Sequence, residues 1–414
     1  MGGKAGESFT QLILNAMNRG SAKLETQAFS STRQISSNTS GEANLVFVPP
    51  PNAKELIKVY FDFHHVLTPI FHAPTILSQL EQVLSSCDSS DQASHHNNYN
   101  LAILNMICAI AAAHDRLGIG GTESIARKHY DTAIQLVRPT LLSDWSIEKV
   151  QILLLGARYL QSASYPDECW TVLGLAVRIA YGLELHRPAP EHMDCITQEV
   201  RKRVWHAVYG MDQLLSMIYG RPAATSSTTL TTPLPEDLDD DCIQPSRLLY
   251  PSVKASSSGM SFFLQVSRLY RMLESAASPP GDTALETRVR LDEDFEAWYA
   301  QVPACLKIRE GAQVGDDRTL ILALRANMVR ILIHRPSLVS ALSALSTEGG
   351  PTGPPGKLRV SMLQRSRQIC VSTAEETVQL VGQRHEQTKN ATGPSWFNLY
   401  YCMSICPCVF LSLP

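Results

Sequence analysis

The chain has 414 residues, of which 44% are hydrophobic and 18% are charged, and its formal net charge is −3. This length is enough for one large core or for two sub-domains. The balanced charge excludes the strongly basic field with which many proteins attract nucleic acid. The sequence has no apolar run of roughly 18 residues and no basic start before an apolar segment, so it predicts neither a membrane span nor a secretory signal.

The N-terminal half begins with a polar arm and continues with helical patterns. Residues 1–53 are rich in Ser, Thr and Asn, which predicts a mostly disordered arm. Residues 87–100 are polar and predict a loop, whereas residues 101–114 are apolar nearly all round and predict a central buried helix. Residues 126–137 and the helix that Ser146 caps predict an antiparallel pair joined by a turn at Pro139.

Two amphipathic helices dominate residues 165–235, and the rest of the chain is organised around them. Pro166 suits the first turn of the first helix, Thr197 is a candidate N-cap of the second, and Gly220 followed by Pro222 ends it. The apolar stripes consist of Leu173, Ala176, Val177 and Ala180 in the first helix, and Val204, Ala207, Val208, Met211, Leu215 and Ile218 in the second.

The second half of the chain also has helical spacing. After a Ser-rich hinge at residues 256–258, the patterns predict helices near 263–273, 285–302 and 320–332, the last ending before Pro336. A Gly/Pro linker (349–356) precedes a long helix near 359–384, and residues 395–414 form an apolar tail without charge. The hypothesis that this tail favours is that the C-terminus is truncated or mis-spliced relative to a complete domain.

No segment alternates with a period of two residues, so the predicted fold class is all-α: an antiparallel multi-helix bundle, or stacked helical hairpins, in two sub-domains. The predicted segments are an arm (1–53), a regulatory helical domain (54–245), a second helical sub-domain (246–348), a linker (349–356) and a C-terminal helix with its tail (357–414). Ten scattered cysteines, some inside helical patterns as at Cys108, Cys169 and Cys370, predict reduced, intracellular and mostly buried thiols.

Residues at characteristic spacings carry a family resemblance. They are Trp170, Gly174, Ala176 to Ala180, Leu183, Leu185 to Arg187, Glu199, Arg201, Arg203, Trp205, Tyr209, Asp212, Gly220 to Pro222, Leu234 and Pro235. With them, residues 55–400 resemble the regulatory middle domain of fungal zinc-cluster transcription factors. The chain departs from the pattern at Tyr181 to Glu184, where a small polar segment is common, and at His206, where a second Trp is common.

The resemblance implies gene control in a nucleus, exerted by a helical domain that senses a small-molecule effector or a partner protein. Members of that family carry a six-cysteine zinc cluster with C-x₂-C pairs, but this sequence contains no C-x₂-C. DNA contact is therefore expected through a DNA-binding partner protein. For the oligomeric state, a homodimer and a heterodimer both stay open. The controlled genes are expected to belong to a metabolic or secondary-metabolite pathway. Arg201, Arg203, Asp212 and Arg221 are implied to be polar anchors between helices.

An acidic motif opens an alternative. Asp237, Asp239 and Asp240 match D-x-D-D, with which class II terpene cyclases protonate an alkene. That chemistry needs a carboxylic acid of raised pKa in an apolar cavity, whereas this motif follows a Pro/Thr-rich segment. A solvated acidic loop is the favoured interpretation, a terpenoid cyclase is the alternative, and a non-functional fragment of a larger factor is the third.

Other candidate sites give weaker patterns. The basic run Arg201 to Arg203, with Arg178, Arg187 and Arg221 nearby, does not gather on one helix face. Ion pairs with Glu184, Glu199 or Asp212 are therefore favoured over phosphate binding. The histidines and the C-x₃-C-x-C set at Cys402 to Cys408 lack metal-ligand spacing. No catalytic residue, cofactor site or metal site is predicted. A set of large side chains is favoured as core over pocket lining, namely Trp170, Trp205, Met211 and Tyr219.

Overall fold

The computed structural model describes residues 52–86, 95–113, 122–251, 258–277, 284–308, 317–346 and 357–388. In these residues the chain forms α1 (Ala53–Val59), α2 (Ala73–Ser86), α3 (His95–Ala113), α4 (Thr122–Val137), α5 (Ile147–Ser162), α6 (Pro166–Gly182), α7 (Cys195–Tyr219), α8 (Ser261–Ala277), α9 (Ala284–Gln301), α10 (Asp317–Ser346) and α11 (Lys357–Thr388). The all-α prediction is confirmed. The predicted arm, apart from its last residues, the linker and the apolar tail lie outside the described residues.

Short elements connect the helices. A π-helical turn (Tyr60–His65) follows α1, and 3-10 turns occupy Arg138–Thr140, Ser227–Thr229, Asp240–Cys242 and Ala304–Leu306. Strand β1 (Ile243–Gln244) pairs antiparallel with β2 (Arg247–Leu248), with Ile243 opposite Leu248. Sequence analysis missed this hairpin because two residues per strand are too few to show alternation.

The prediction of a central buried helix is confirmed in α3. Every described side chain from Ala102 to Ala112 is buried, and the helix packs mainly against α4 and α5. The predicted polar loop at residues 87–100 is wrong at its second half, because α3 begins at His95. The polar residues at the start of α3 are helical because their backbone groups extend the hydrogen-bond pattern of the buried turns that follow.

The predicted pairing of α4 with α5 is not the main contact of either helix. α4 packs chiefly against α3, and α5 packs chiefly against α6 and α3. Ser146 caps α5 as expected, since its side chain accepts a hydrogen bond from the Lys149 amide. Lys149 is fully buried, and its Nζ donates to the carbonyl oxygens of Thr140, Ser143 and Asp144 at 2.5, 2.5 and 2.9 Å. The turn between the two helices is therefore held by a lysine rather than by helix pairing.

The ends of α7 were predicted with one error. Asp194, not Thr197, is the N-cap, because its carboxylate accepts hydrogen bonds from the Thr197 amide at 3.0 Å and the Thr197 hydroxyl at 2.6 Å. Thr197 therefore lies in the first turn as the partner of the cap. Gly220 ends α7 in the left-handed region, with φ of 62°, as expected.

Helices α8, α9 and α11 match their predicted positions, but α10 is longer than predicted. It continues through Pro336 to Ser346, so the prediction that the helix stops before this proline is wrong. Proline removes one backbone hydrogen bond and crowds the preceding turn. α10 packs against α8, α9 and α11, and this packing outweighs the local loss.

The buried apolar residues form two cores that share α7. Core 1 is built from α1 to α7 together with the start of α8, and core 2 from α8 to α11. Val204, Val208 and Leu215 of α7 belong to core 1, whereas Tyr209 and Leu214 belong to core 2. The predicted domain limits (54–245, 246–348, 357–414) stay predictions. Among the described helices, none combines the length and the apolar composition that a bilayer crossing requires.

Candidate functional site

A segment that we name the return segment (residues 221–242) runs back along α7. Its first residues contact the C-terminal end of α7, where the Arg221 amide donates to the Ser216 carbonyl at 3.0 Å. Further along, Pro233 lies beside His206, and the Glu236 amide donates to Glu199 at 3.0 Å. The return segment and α7 are therefore antiparallel, and polar side chains of α7 hold the two together.

Arg203 is the centre of this network and is fully buried. Its guanidinium forms an ion pair with Asp240 of the return segment, with 2.6 Å between Nη2 and Oδ1, and donates to the Phe71 carbonyl at 2.9 Å. The other Asp240 oxygen accepts from the Ala73 amide at 2.7 Å. One buried ion pair thus joins α7, the return segment and the start of α2, where a carboxylate also meets the positive end of the helix dipole.

Two histidines complete the network. His65 donates from Nε2 to the Phe71 carbonyl at 3.2 Å, and His72 donates from Nε2 to the Asp240 carbonyl at 3.0 Å. Burial lowers the pKa of His65 to about 4. Burial alone would raise the pKa of Asp240, but Arg203 and the Ala73 amide outweigh it and hold that pKa below its ordinary value. At neutral pH the centre of the network therefore consists of the Asp240 carboxylate, the Arg203 guanidinium and the neutral imidazole of His65.

A second anchor lies near the C-terminal end of α7. Asp212 Oδ2 accepts from the amides of Ala224 and Thr225 at 2.9 and 2.7 Å and from the Thr225 hydroxyl at 2.7 Å. Gln213 donates to the Thr225 carbonyl at 3.0 Å. Burial raises the pKa of Asp212, and the hydrogen bonds from Thr225 and Ala224 offset part of that rise. Asp212 therefore holds the turn after Gly220 through hydrogen bonds. The ion pair with an arginine that the sequence predicted for Asp212 is not among its contacts in the described residues.

Glu274 of α8 ties the return segment to core 2. Its carboxylate accepts from the Tyr209 hydroxyl at 2.7 Å, from the Ser226 hydroxyl at 2.9 Å and from the Ser227 amide at 2.8 Å. Sequence analysis did not single out Glu274, because its partners lie about 50 to 65 residues away and no local spacing reveals them.

The acidic motif has structural partners throughout. Asp237 accepts from the hydroxyls of Ser258 and Ser261 at 2.5 and 2.8 Å, and Asp239 accepts from the Gly259 amide at 2.7 Å. Asp237 and Asp239 are exposed, as a solvated loop requires. That interpretation is wrong for Asp240, whose side chain is 15% exposed and paired with Arg203. The three carboxylates fasten the motif to α2, α7 and the start of α8, and Asp240 has the opposite of the raised pKa that alkene protonation needs.

The predicted ion pairs of the basic residues are partly confirmed. Lys202 pairs with Glu199 at 2.5 Å and Arg187 with Glu184 at 3.2 Å. The remaining partners differ from those predicted: Arg203 pairs with Asp240, Arg201 donates to the Leu183 carbonyl at 2.8 Å, and Arg221 pairs with Asp167 at 2.8 Å. These side chains disperse to separate partners, as the helix spacing predicted, rather than forming one basic face.

The four large side chains that the sequence allowed as core residues or as pocket lining lie in two groups. Trp205 is fully buried in core 1, with Tyr181 at 5.1 Å and His186 at 5.7 Å between ring centroids, and Met211 is also buried in core 1. Trp170 and Tyr219 meet edge to face at 6.2 Å, and Arg221 lies over both rings at 5.4 and 5.7 Å. Both groups pack as core and cation–π contacts.

The cysteines of the described residues differ in burial. Cys108, Cys169 and Cys370 are buried, as predicted, whereas Cys305 is exposed. Cys402 to Cys408 lie outside the described residues. Over the described ranges, no group of three or more His, Cys, Asp or Glu residues could hold a metal ion.

The chain is similar to a known protein family and to several curated proteins. A family model described as "Fungal specific transcription factor domain" matches residues 57–305, which run from α1 to the 3-10 turn after α9. Transcription factor FBD3 of Gibberella moniliformis is 24% identical over 95% of this chain and 57% of its own length. Transcriptional activator protein acu-15 of Neurospora crassa is 24% identical over 77% of this chain and 34% of its own length.

A third relative is named for a biosynthetic gene cluster. Sorbicillinoid biosynthetic cluster transcription factor 2 of Penicillium rubens is 23% identical over 85% of this chain and 53% of its own length. The chain thus spans between about a third and three fifths of the length of these curated relatives. No solved structure matches it.

Proposed function

The chain belongs to the fungal specific transcription factor domain family, and on that premise we propose that it regulates transcription in a fungal nucleus. The proposal rests on one observation: the residues that match the family model are the residues that form most of the described helices. The match covers α1 to α9 and therefore contains α7, the return segment and their polar network. Each of the three relatives described above bears the name of a transcription factor or a transcriptional activator.

The proposed mechanism is conformational. An effector or partner that binds one arrangement of the two cores better than another would shift the surface offered to the transcription machinery. Tyr209 and Leu214 of α7 pack in core 2 while their neighbours pack in core 1, so a change at either core reaches the other through one helix. DNA contact is assigned to a DNA-binding partner protein or to a module outside this sequence, since the chain has no C-x₂-C pair.

The target genes are proposed to serve a metabolic or secondary-metabolite pathway. Support comes from the Penicillium rubens relative, whose name refers to a biosynthetic cluster. The direction of regulation, activation or repression, is an outcome of the test below.

A reporter assay tests the proposal. The full chain, fused to a heterologous DNA-binding domain in yeast, is expected to change expression of a reporter that carries the matching operator. Arg203→Met, which removes the central ion pair, should abolish the change, whereas Arg187→Gln should preserve it. Unchanged reporter expression with a folded, nuclear wild-type fusion would contradict the proposal.

We propose further that the chain is not an enzyme. The alternative, a terpenoid cyclase, requires one aspartate of the acidic motif to donate a proton, and each of the three carboxylates instead accepts hydrogen bonds. Incubation of the purified chain with geranylgeranyl diphosphate should give no cyclic product. Product formation that disappears in Asp239→Asn would favour the enzyme instead.

A further inference from the structure

The return segment contains a run of hydroxyl side chains. Seven of the eight residues from Thr225 to Thr232 are serine or threonine. Both ends of the run are buried and held: Thr225 donates from its amide and its hydroxyl to Asp212 at 2.7 Å each, and the Thr232 hydroxyl donates to the Leu185 carbonyl at 2.6 Å. The exposed hydroxyl residues between these ends are Ser227, Thr228, Thr229 and Thr231.

The Glu274 carboxylate of α8 holds the middle of this run. It accepts from the Ser226 hydroxyl at 2.9 Å and from the Ser227 amide at 2.8 Å, and the Ser227 side chain also forms a hydrogen bond with it. Burial alone would raise the pKa of Glu274, but the hydrogen bonds from Tyr209, Ser227 and Ser226 outweigh it and hold that pKa below its ordinary value. An ionised carboxylate therefore joins the return segment to core 2, and we name this contact the Glu274 clasp.

Ser227 is the more accessible serine of the Glu274 clasp. Its side chain is exposed, whereas Ser226 is half-buried and its hydroxyl also contacts the Thr228 hydroxyl at 2.9 Å. Ser227 begins a 3-10 turn (Ser227–Thr229), which is the one regular element between the end of α7 and Asp240. Exposed connecting segments with few buried contacts open locally at low cost, and such opening gives a modifying enzyme access to the side chain.

We propose that Ser227 is a phosphorylation site, with ATP as the phosphate donor and a serine/threonine protein kinase as the catalyst. The Ser227 hydroxyl oxygen forms a bond to the terminal phosphorus of ATP, the bond from that phosphorus to the bridging oxygen breaks, and ADP leaves. The hydroxyl proton passes to a base of the kinase. The product carries about two negative charges beside the Glu274 carboxylate and lacks the hydroxyl proton that the serine donated.

Phosphorylation should open the Glu274 clasp, because two anionic groups at this distance repel each other. Thr225 and Thr232 keep their own partners, so the return segment stays attached to core 1 at both ends of the run. Its middle, residues 226–230, separates from α8. The contact between the return segment and core 2 thus depends on the modification. The consequence for gene control rests on the proposed function, whereas phosphate transfer and the opening of the clasp do not.

Mass spectrometry of the full chain tests the modification. After incubation with ATP and a fungal cell extract, phosphate is expected on Ser227, and the Ser227→Ala chain should lack it. Extract without ATP is the control. Absence of phosphate from Ser227 in the wild type would overturn the proposal. A chain that is phosphorylated at Ser227 and leaves the reporter unchanged in every form would support the site and contradict the transcriptional role alone.

Hydrogen exchange of the amides of residues 223–230 measures whether the Glu274 clasp is closed. Ser227→Glu should exchange about tenfold faster than the wild type or more, because hydrogen bonds to a charged acceptor are lost. In the Glu274→Gln background, where the repelling charge is absent, the same substitution should change the rate little. Ser143→Glu, which adds the same charge to the exposed turn between α4 and α5, should leave the rate unchanged.

The two backgrounds separate charge repulsion from a general loss of structure. Repulsion by Glu274 predicts that Glu274→Gln removes most of the acceleration that Ser227→Glu causes. An equal acceleration in both backgrounds, no acceleration in the wild-type background, or loss of folding in both would overturn the proposal.

Discussion

Buried charged side chains of α7 hold the neighbouring segments of the chain in place. Arg203 is fully buried and satisfied by Asp240 and by the Phe71 carbonyl. Sequence analysis identified Arg203 as a polar anchor but expected Glu184, Glu199 or Asp212 as the partner. Asp240 lies 37 positions further on, so only the antiparallel course of the return segment brings the two together, and local spacing does not encode that course.

Removing one partner of this ion pair should be costly. Arg203→Met leaves the Asp240 carboxylate partly buried without its counter-charge, and we expect a loss of about 3–5 kcal/mol in the free energy of unfolding. Urea denaturation measures it. Arg187→Gln breaks a pair whose side chains are 60% and 63% exposed, and should cost less than about 1 kcal/mol. Similar losses in both variants would contradict the assignment of Arg203 as the central anchor.

The stability of the protein should fall in mild acid because of His206. This histidine donates to the Pro233 carbonyl at 3.1 Å, and burial lowers its pKa to about 4 from the ordinary 6.5. The native state therefore keeps it neutral while the unfolded chain gains a proton as the pH falls from 6.5 towards 4. The contribution to stability is fully present above pH 6.5, and about 2 kcal/mol of it is lost at pH 5.

The comparison uses urea denaturation at pH 7.5 and pH 5. His206→Gln should show a smaller difference between the two pH values than the wild type, since glutamine does not titrate. His192→Gln, which replaces an exposed histidine, should retain the full wild-type difference. Equal pH dependence in the wild type and His206→Gln would show that other groups cause the loss.

At the scale of elements, the close contact between α7 and α8 depends on one glycine. A Cβ atom at Gly210 would lie 2.6 Å from Cδ2 and 3.0 Å from Cε2 of Tyr270. Gly210→Ala should therefore lower the free energy of unfolding by about 1–3 kcal/mol, because an aromatic ring packed in core 2 cannot yield as a flexible chain end does. Thermal or urea unfolding gives the value.

Gly174 on α6 is the matched control. It is exposed, and a Cβ atom there would meet nothing within 4 Å. Gly174→Ala should be neutral or should stabilise the chain by about 0.5–1 kcal/mol, since alanine favours the helix. If both substitutions acted alike, helix propensity rather than contact with Tyr270 would explain the effect at Gly210.

The positions of most helices were predictable, whereas several of their ends were not. Periodic apolar residues located α5, α7 and α8, because burial of one face imposes the helical repeat. The start of α3 at His95 and the passage of α10 through Pro336 were missed. In both cases a polar or helix-breaking residue is kept helical by packing elsewhere along the same helix, which local propensity does not show.

At the scale of the whole molecule, the two cores share a helix and should unfold together. Val204 and Val208 of α7 pack in core 1, and Tyr209 and Leu214 pack in core 2. Loss of either core exposes one side of α7 and weakens the other core. We therefore expect a single transition.

Tryptophan fluorescence measures this coupling. Trp205 lies in core 1 and Trp298 in core 2, so the emission that is lost in Trp205→Phe and in Trp298→Phe reports each core separately. Both signals should change at the same urea concentration. Two well-separated midpoints would instead support independent sub-domains with the boundary that the sequence predicted near residue 246.

The surroundings of Arg158 show where sequence analysis reaches its limit. An arginine inside the apolar run of α5 is a detectable signal, because a charged residue in such a run needs a partner. The hydroxyl that the Arg158 guanidinium contacts belongs to Thr68, which lies 90 positions earlier in the chain. Which group an arginine in such a run contacts depends on how the helices pack, and the helical repeat carries no information on that packing.

The polar contacts of α7 also bear on how freely the chain can diverge. Glu199, Arg201, His206 and Gln213 all bond to main-chain atoms of their partners, namely the amide of Glu236 and the carbonyl oxygens of Leu183, Pro233 and Thr225. Every residue type offers a carbonyl and nearly every one an amide. Most side chains opposite α7 can therefore be substituted without loss of these hydrogen bonds. A library in which residues 226–236 are randomised should contain far more folded variants than one in which residues 199–213 are randomised.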